Sequence, residues 1–554
     1  MFELMGLLCL GVAWLVPNHS FPWNSFYNDT LAAIGLALLV LSNATRHGSR
    51  LTMPRPAWLV LAVALVPGLQ WALGLLSFSG DAFVASLYLA GLATAIGCGH
   101  SSFRTEGSDF AKHLSWVMVV AASVSSVIAL MQTFHVEPIG IWTLQVPPGM
   151  RPYANLAQPN NLATLIGFGA VGLWYLLRSK HVAKTIATAL LMLLLVGISL
   201  TQSRTALLFG PCVAVVLAIA TRRDESLRSS VWPVVAISVC HVGLTFSLPI
   251  VQRMLGLESV EAVSSRGLGS VRFQMWPILI DALSDHPWRG FGWLQVGAAE
   301  LSAASRFPPV GELWLHGHNL FLELLLWAGY PIGIVLVGMI VWWYATRLLA
   351  AGSAETVTGM LIITILLVHA MLELPHHYAY FLIPAGLWIG IAEPTAAKAV
   401  LPSRWNLLPF VATAVAFYCI CKDYPAVERD IELMRFEALH IGTSTAKVSS
   451  PEAPFLSSLT ALLRFSRTTP EKGMSQSTLD DMRRVVARYP YHGAMLRLAT
   501  SLALNGRVEE AKDLCVAIRH IHGEDIYLAV KRRIHEQVEE GKTELRELDS
   551  ALNR

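Results

Sequence analysis

The sequence predicts an all-α protein, a polytopic membrane helix bundle of about 12–13 spans with a long outer loop and a C-terminal soluble helical domain. The chain has 554 residues, of which 54% are hydrophobic and only 14% are charged, against about 25% in an ordinary soluble domain. The charge is uneven, since roughly half of the charged residues follow Lys422. Before that point the sequence repeats apolar runs of about 18–25 residues, the length that crosses a bilayer.

These apolar runs define thirteen candidate spans within residues 1–421, the predicted membrane domain. In chain order the predicted spans are 2–17, 29–44, 57–78, 82–99, 114–134, 161–177, 185–201, 205–221, 231–249, 319–346, 357–373, 378–393 and 405–421. The charge-rich residues 422–554 form the predicted soluble domain.

Lysine and arginine in the short connections give the predicted orientation, because cytoplasmic loops of membrane proteins carry an excess of these residues. The even-numbered connections hold clusters of them, whereas the odd-numbered connections 18–28 and 77–81 hold none. We therefore predict that the even-numbered connections are cytoplasmic and that the loop 250–318 lies outside. With thirteen spans, residues 422–554 lie outside as well.

Several arginines on the predicted outer side do not follow that rule. They include Arg204 in a short turn, and Arg266 and Arg272 in the loop 250–318. One explanation is structural, namely a long side chain that reaches the interface or forms a salt bridge. The other is functional, because the guanidinium fork binds phosphate through two parallel hydrogen bonds. The functional explanation predicts an anion site at the outer face.

Amide side chains are dense directly before the sixth predicted span, where they include Gln158 and Asn160. Asparagine and proline in this position are also typical of a plain helix start. The run holds more amides than a cap needs, and amides both donate to and accept from sugar hydroxyls. Gln158 and Asn160 are therefore candidate sugar-binding residues.

A second polar group follows the eleventh predicted span and contains an acid, two histidines and two tyrosines. Its candidate binding residues are Glu373, Tyr378 and Tyr380. Such a group can bind an acceptor or a sugar. It is equally typical of an aromatic belt at the membrane interface, combined with a helix break.

The tenth predicted span begins with His316, His318 and Asn319. A helix N-terminus carries unpaired N–H groups and partial positive charge, which disfavours an imidazolium and favours a histidine that accepts a proton. The structural alternative is that Asn319 caps the helix beside two interfacial histidines. Zinc is a third option, but no acid or cysteine with matching spacing lies nearby, so we predict no metal.

The motif around His318 resembles the signature of the bacterial O-antigen ligase and polymerase superfamily. The resemblance rests on His318 and Asn319, followed by Leu320, Leu322 and Gly329. Two further segments are similar to the protein-glycosylating branch of that superfamily, the pilin-type O-oligosaccharyltransferases.

The first of these segments is Asn-Leu-Ala-Gln-Pro-Asn at 155–160, which resembles the Asn-Gln-Pro-Asn segment of the branch, although two residues separate the first asparagine from the glutamine. The second is Glu-Leu-Pro at 373–375, followed by Tyr-Ala-Tyr-Phe at 378–381. The match covers roughly residues 150–393 in order and spacing.

The resemblance implies a metal-independent, inverting glycosyltransferase that needs no cofactor. Such an enzyme moves a preassembled glycan from undecaprenyl pyrophosphate to a Ser or Thr hydroxyl, often on a type IV pilin. The implied location is the inner membrane of a Gram-negative bacterium, with the active site facing the periplasm. The implied partners are the lipid-linked donor, an acceptor protein and the bilayer, with no nucleic acid.

The resemblance also implies roles for the candidate residues. Arg204 and Arg272 stand in motifs where the family places its phosphate-binding arginines, and Arg266 is a further candidate. Arginines there stabilise the charge that develops on a pyrophosphate leaving group. His318 is the predicted base for the acceptor hydroxyl, and His316 orients acceptor or donor. The remaining candidates for substrate binding are Gln158, Asn160, Asn319, Glu373, Tyr378 and Tyr380.

Residues 422–554 show helical patterning, most clearly as a hairpin over 496–521 with a turn at Asn505-Gly506-Arg507. The hairpin is similar to that of a tetratricopeptide repeat, and a short helical bundle fits it equally well. Either fold suits protein binding.

Three alternative functions stay open at this stage. Within the superfamily, the enzyme can act as a ligase on lipid A core or as an O-antigen polymerase. A transporter or flippase is expected to show charges and broken helices near the midplane, and few charges lie inside the spans. A non-catalytic export scaffold is the third.

Overall fold

The computed structural model describes residues 1–45, 52–136, 139–257, 272–394, 407–438 and 449–553. Within these ranges the regular structure is helical and contains no β-strand, which confirms the predicted all-α class. Arg266 lies outside the described residues.

The helices of the first part of the chain are α1 (Phe2–Ala13), α2 (Phe26–Thr45), α3 (Arg55–Val63), α4 (Val66–Ala72), α5 (Ser79–Glu106), α6 (Ser108–Thr133), α7 (Pro159–Arg178), α8 (Lys184–Leu200), α9 (Phe209–Ala220), α10 (Arg228–Met254), α11 (Arg272–Ala282), α12 (Val296–Ala303), α13 (Leu320–Ala350), α14 (Ala354–Ala370), α15 (Ala379–Ala392) and α16 (Leu407–Ala438). Those of the C-terminal part are α17 (Ser457–Arg467), α18 (Gln476–Arg488), α19 (His492–Leu504), α20 (Val508–His522), α21 (Glu524–Glu539) and α22 (Arg546–Asn553).

Eight stretches of the described residues are long and apolar enough to cross a membrane: Phe26–Thr45, Arg55–Ala72, Ser79–Glu106, Ser108–Thr133, Pro159–Arg178, Glu225–Met254, Leu320–Ala350 and Phe410–Glu437. The other five predicted spans coincide with shorter apolar helices: Phe2–Ala13, Lys184–Leu200, Ala206–Ala220, Ala354–Ala370 and Ala379–Ala392. The chain is therefore a multi-pass membrane protein.

Three helix ends or breaks differ from the sequence prediction. Helix α14 ends at Ala370, before the predicted end of its span at 373, as expected ahead of Pro375. Helix α16 continues to Ala438 instead of ending at 421. Helix α13 is interrupted at Gly329, which adopts φ 71° and ψ 176°.

One compact unit comprises Met1–Ala64, Leu87–Leu268 and Met339–Tyr418. Its core consists of buried apolar side chains from helices that include α1, α2, α6, α7, α14 and α15. Helices α6 and α7 pack closely at Gly169. The space there is too small for a side chain, since an added Cβ atom would clash with the Cβ of Ala122. Small residues at such contacts are typical of membrane helix packing.

The second compact unit comprises Leu65–Ser86, Gly269–Gly338 and Cys419–Arg554. Within it, Arg488 Nε donates to the buried carboxylate of Asp81 at 2.8 Å, and Ser458 donates to the same carboxylate at 2.8 Å. Helices α19 and α20 form the predicted hairpin, with Gly506 at φ 77° in its turn. The tetratricopeptide likeness and the division of the chain at Lys422 stay predictions.

Candidate active site

Glu373 is the centre of a polar cluster in the first unit. It follows helix α14, where the chain turns towards Pro375, and its side chain is 6% exposed. Asn160 Nδ2 donates to its Oε1 at 3.1 Å, and Gln158 Nε2 reaches its Oε2 at 3.5 Å. The structure thus brings together three of the predicted binding residues, although Glu373 lies more than 200 positions from Gln158 and Asn160 in the chain.

Asn160 also connects this cluster to the turn that carries Arg204. Its Oδ1 accepts a hydrogen bond from Ser203 Oγ at 2.7 Å. Arg204 is the next residue and is half-buried. The neighbouring Gln202 adopts φ 47°, and its amide donates to the carbonyls of Ser199 and Thr245. The predicted anion-binding arginine therefore lies on a turn that the protein fixes firmly.

His369 supports the cluster from inside the same unit. Its Nδ1 lies 2.7 Å from Thr164 Oγ1, which joins α14 to α7, and its carbonyl accepts from the backbone N–H of Glu373 at 2.8 Å. The side chain of His369 is fully buried. The sequence did not identify His369 and Ser203 as residues of this cluster, because their role depends on contacts with residues in distant segments of the chain.

The two predicted tyrosines differ in exposure. Tyr378 is half-buried, whereas Tyr380 is 1% exposed. Their rings stack with centroids 5.1 Å apart. The hydroxyl of Tyr380 accepts from Asn161 Nδ2 at 3.3 Å, and its backbone N–H donates to Asp29. Tyr380 is therefore a core side chain that contacts Tyr378 and Asn161.

Asn155 has a structural role at the start of this motif. Its side chain is 1% exposed and its Nδ2 donates to the carbonyls of Leu15 and Trp142, both at 2.8 Å. Its Oδ1 accepts from the backbone N–H of Leu144 at 3.1 Å. This amide is committed to holding the backbone, so it is not available for sugar hydroxyls.

The predicted histidine motif lies in the second unit, directly before helix α13. Asn319 Oδ1 accepts from the backbone N–H groups of Phe321 and Leu322 at 3.0 and 3.1 Å. Asn319 therefore caps the helix, as the structural alternative predicted. His318 stands just ahead of the cap, half-buried, with φ 48°. A positive φ is unusual for a residue other than glycine and is enriched at functional sites.

The backbone between the two histidines is held from both sides. Gly317 N–H donates to Glu323 Oε1 at 2.8 Å, and the Gly317 carbonyl accepts from Trp276 Nε1 at 3.0 Å. Glu323 is fully buried in the first turn of α13, and its Oε1 lies 3.9 Å from His316 Nδ1. The expectation that no acidic residue lies near these histidines is therefore wrong, because the helical turn brings Glu323 back to them.

Arg272 begins helix α11 and is half-buried. It precedes Trp276 by four residues, so the two side chains share one face of the helix. The indole of Trp276 donates to the carbonyl of Gly317 in the histidine segment.

Glu300 anchors the chain just before the histidines. Its Oε2 accepts from the backbone N–H of Trp314 at 2.8 Å, and its side chain is 2% exposed. Burial raises the pKa of this carboxyl to about 8. The signal in the sequence is a single acid in the apolar helix α12, and sequence reasoning did not use it.

Comparisons with known protein families match three parts of this chain. A family model described as O-antigen ligase matches residues 189–337. One described as protein glycosylation ligase matches residues 152–177. A third, the C-terminal part of virulence factor membrane-bound polymerase, matches residues 357–534.

Two similar proteins come from Acinetobacter baylyi (strain ATCC 33305 / BD413 / ADP1). A general O-oligosaccharyltransferase is 26% identical over 543 residues, which cover 95% of this chain and 93% of that protein. A ComP-specific O-oligosaccharyltransferase is 26% identical over 388 residues, or 70% of each chain.

The fold and these matches define a membrane glycosyltransferase of the O-antigen ligase type. Parts of the chain match the O-antigen ligase and protein glycosylation ligase models, and along most of its length the chain is similar to protein O-oligosaccharyltransferases. Similarity to these enzymes favours catalysis over the transporter and scaffold alternatives.

Proposed function

We propose that this enzyme transfers a preassembled oligosaccharide en bloc from undecaprenyl pyrophosphate to Ser or Thr hydroxyls of periplasmic proteins, pilin-like proteins among them. The observation that supports this most is the convergence of Gln158, Asn160 and Glu373 beside the turn of Arg204. Two segments that resemble the protein-glycosylating branch meet in this one cluster.

In this proposal His318 takes the proton of the acceptor hydroxyl as its oxygen attacks the anomeric carbon of the first sugar. The bond from that carbon to the pyrophosphate oxygen breaks, and undecaprenyl pyrophosphate leaves with the bond's electron pair. A single displacement of this kind inverts the anomeric centre. The acceptor's proton then resides on His318 and passes to solvent.

The arginines stabilise the leaving group in this scheme. Negative charge grows on the pyrophosphate as the bond breaks, and guanidinium groups placed there lower the barrier. We assign this role to Arg204 and Arg272, and to Arg266 from the family resemblance. The amides of Gln158 and Asn160, with the Glu373 carboxylate and Tyr378, provide donors and acceptors for sugar or acceptor hydroxyls.

The site needs no metal in this proposal, because a histidine and arginines supply the base and the positive charge. The acid near the histidines has a different role, since the Glu323 carboxylate accepts from the backbone N–H of Gly317 at 2.8 Å. It thereby fixes the shape of the segment that presents His318.

The alternative within the superfamily is transfer to lipid A core or to a growing O-antigen. The match of residues 189–337 to the O-antigen ligase model is the observation that favours it. Purified enzyme supplied with lipid-linked glycan discriminates between them when a pilin-like protein and lipid A core are offered in parallel reactions. We expect glycan on the protein; transfer only to lipid A core or to another glycan would contradict the proposed acceptor.

A further inference from the structure

The first unit contains a cavity of about 1200 Å³ between helices α1, α6 and α8 and the chain segment 139–157. Its walls are apolar, with side chains that include Val12, Leu15, Val124, Val127, Ile128 and Leu193. Several of these also face outward, among them Val124 at 40% and Val127 at 46% exposure. The cavity is therefore a groove open to the surroundings of the helices, which in a membrane are lipid chains.

The mouth of this groove is polar and built from fixed groups. Asn155 lines it, and its side chain is held by three backbone groups of the segments around Leu15 and Trp142. His19 also lines it, with Nε2 2.7 Å from the Asn155 carbonyl and Nδ1 2.8 Å from the Asn24 carbonyl. These hydrogen bonds fix the positions of the Asn155 and His19 side chains at the mouth of the groove.

Along the chain, the mouth adjoins the polar cluster of the candidate active site. Ala157 lines the groove, and the next residue, Gln158, reaches the Glu373 carboxylate. Arg151 lies beside the turn of Arg204, because its Nη1 lies 3.5 Å from the carbonyl of Gln202. An apolar groove thus ends beside amides, a carboxylate and guanidinium groups.

The depth of the groove matches the outer half of a bilayer. Along α6 its lining extends from Ser123 to Met131, about 12 Å at 1.5 Å per residue. One leaflet of a hydrocarbon core about 30 Å thick is of the same size. Under the predicted orientation, the end of α6 near Met131 is the outer end.

We propose that this groove holds the first part of the polyprenyl chain of the lipid-linked donor, so that the pyrophosphate lies at the mouth beside Gln158 and Arg204. The inference rests on the proposed function. A diphosphate head on a long apolar chain fits a groove that is apolar along its length and polar at one end. A bilayer lipid can contact the same walls, but the continuity with the cluster favours the molecule that reacts there.

In this proposal the groove determines the position of the bound donor more than the affinity for it. Lipid chains are as apolar as the groove walls, so moving a chain from bilayer to groove gains little. What the groove fixes is the place of the donor's pyrophosphate relative to Gln158 and Arg204, and misplacement of a reacting group by about 1 Å can lower a rate roughly 100-fold. The effect of filling the groove should therefore appear in kcat/KM for donors whose chain reaches into it.

The test fills the groove with tryptophan in Leu193→Trp and Val127→Trp. The matched control is Met192→Trp, because Met192 is the neighbouring exposed residue on α8 and does not line the groove. Each purified enzyme is assayed with one glycan on two donors, undecaprenyl pyrophosphate and a pyrophosphate that carries only two isoprene units. Thermal unfolding in detergent checks that all variants are folded.

We expect the groove variants to lose roughly 10- to 100-fold in kcat/KM with the long donor and little with the short one. Met192→Trp should match the wild type with both. Groove variants that keep wild-type kcat/KM with the long donor, or that lose it equally with both donors, would overturn the groove assignment alone. A wild-type enzyme that transfers from neither donor would overturn the proposed function, and with it this inference.

Discussion

At the scale of single residues, the carboxylate of Glu373 organises the polar cluster, since two side-chain amides point at its two oxygens. A carboxylate only accepts hydrogen bonds, so it fixes the direction of both amide groups. The Asn160 amide is fixed at both ends, because its Oδ1 also accepts from Ser203 Oγ at 2.7 Å. The residue therefore acts by charge and by shape, and an isosteric substitution separates the two.

Glu373→Gln keeps the shape and removes the charge. The new amide would present an N–H₂ group to one of the two existing amide donors. We expect kcat/KM for glycan transfer to fall about 10- to 100-fold, the loss typical of a hydrogen bond to a charged group. Glu355→Gln is the matched control, because Glu355 lies at the other end of α14 and accepts from Tyr175 at 3.2 Å. Equal effects of both substitutions would argue against a role for Glu373 in the site.

Glu300 gives the protein a predicted pH dependence of stability. Its pKa is about 8 in the folded protein, above the ordinary value of 4.5. The folded state therefore binds more protons than the unfolded state between these two pH values, and stability falls as the pH rises through that window. We expect Glu300→Gln, which stays neutral, to show a smaller fall in unfolding temperature from pH 5 to pH 8 than the wild type. A steeper fall in the variant would contradict the assignment.

Residue patterns predicted most of the cluster but not the residues that hold it together. Gln158, Asn160 and Glu373 stand in polar runs beside apolar spans, which a sequence shows directly. Ser203 and His369 look like ordinary turn and helix residues until the contacts with Asn160 and Thr164 are known. Such contacts join segments far apart in the chain, and no local pattern encodes them.

At the scale of elements, apolar runs predicted the helices well, because a bilayer imposes length and composition on each span. The breaks were harder to predict. The sequence of helix α13 was predicted as one span, although it contains Gly329 and Pro331, and Gly329 leaves the helical conformation there. Another segment also meets the break, since the backbone of Trp288 and Arg289 passes against Gly329.

Gly329→Ala should therefore destabilise the protein. A Cβ atom at this position would lie 2.6 Å from the carbonyl carbon of Trp288 and 2.8 Å from the backbone nitrogen of Arg289, and φ is 71°. Backbone strain of this kind costs about 1–3 kcal/mol before any clash. Gly338→Ala on the same helix is the control, because its Cβ would meet nothing within 4 Å. Thermal unfolding in detergent should show a loss for Gly329→Ala alone, and equal midpoints would contradict this account.

At the scale of the whole molecule, the distribution of lysine and arginine predicts which side of the membrane each connection occupies. Reporter fusions at Ala303 and Ser449 test this directly. We expect alkaline phosphatase to be active, and a cytoplasmic reporter inactive, at both positions. The opposite result at Ala303 would contradict the proposed periplasmic site, whereas the opposite result at Ser449 alone would mean one span fewer.

The family resemblance could be recognised from the sequence because three short motifs occur in a characteristic order. The division of the chain into compact units could not be predicted from the sequence. Residues 65–86, 269–338 and 419–554 form one unit, although apolar runs separate them in the sequence. Contacts such as Arg488 with Asp81, 407 positions apart, create that unit. Composition along the chain suggests a division where the charge content changes, and tertiary contacts need not follow that division.

The central claim is that His318 is the base of a metal-independent glycan transfer. The most direct measurement is transfer by purified enzyme from lipid-linked glycan to a pilin-like acceptor in the presence of EDTA, for the wild type, His318→Ala and His316→Ala. We expect full wild-type activity in EDTA, a loss of roughly 10²- to 10⁴-fold for His318→Ala, and a milder loss for His316→Ala. Wild-type activity that disappears in EDTA and returns with zinc would contradict the claim, as would a His318→Ala enzyme that stays active while His316→Ala does not.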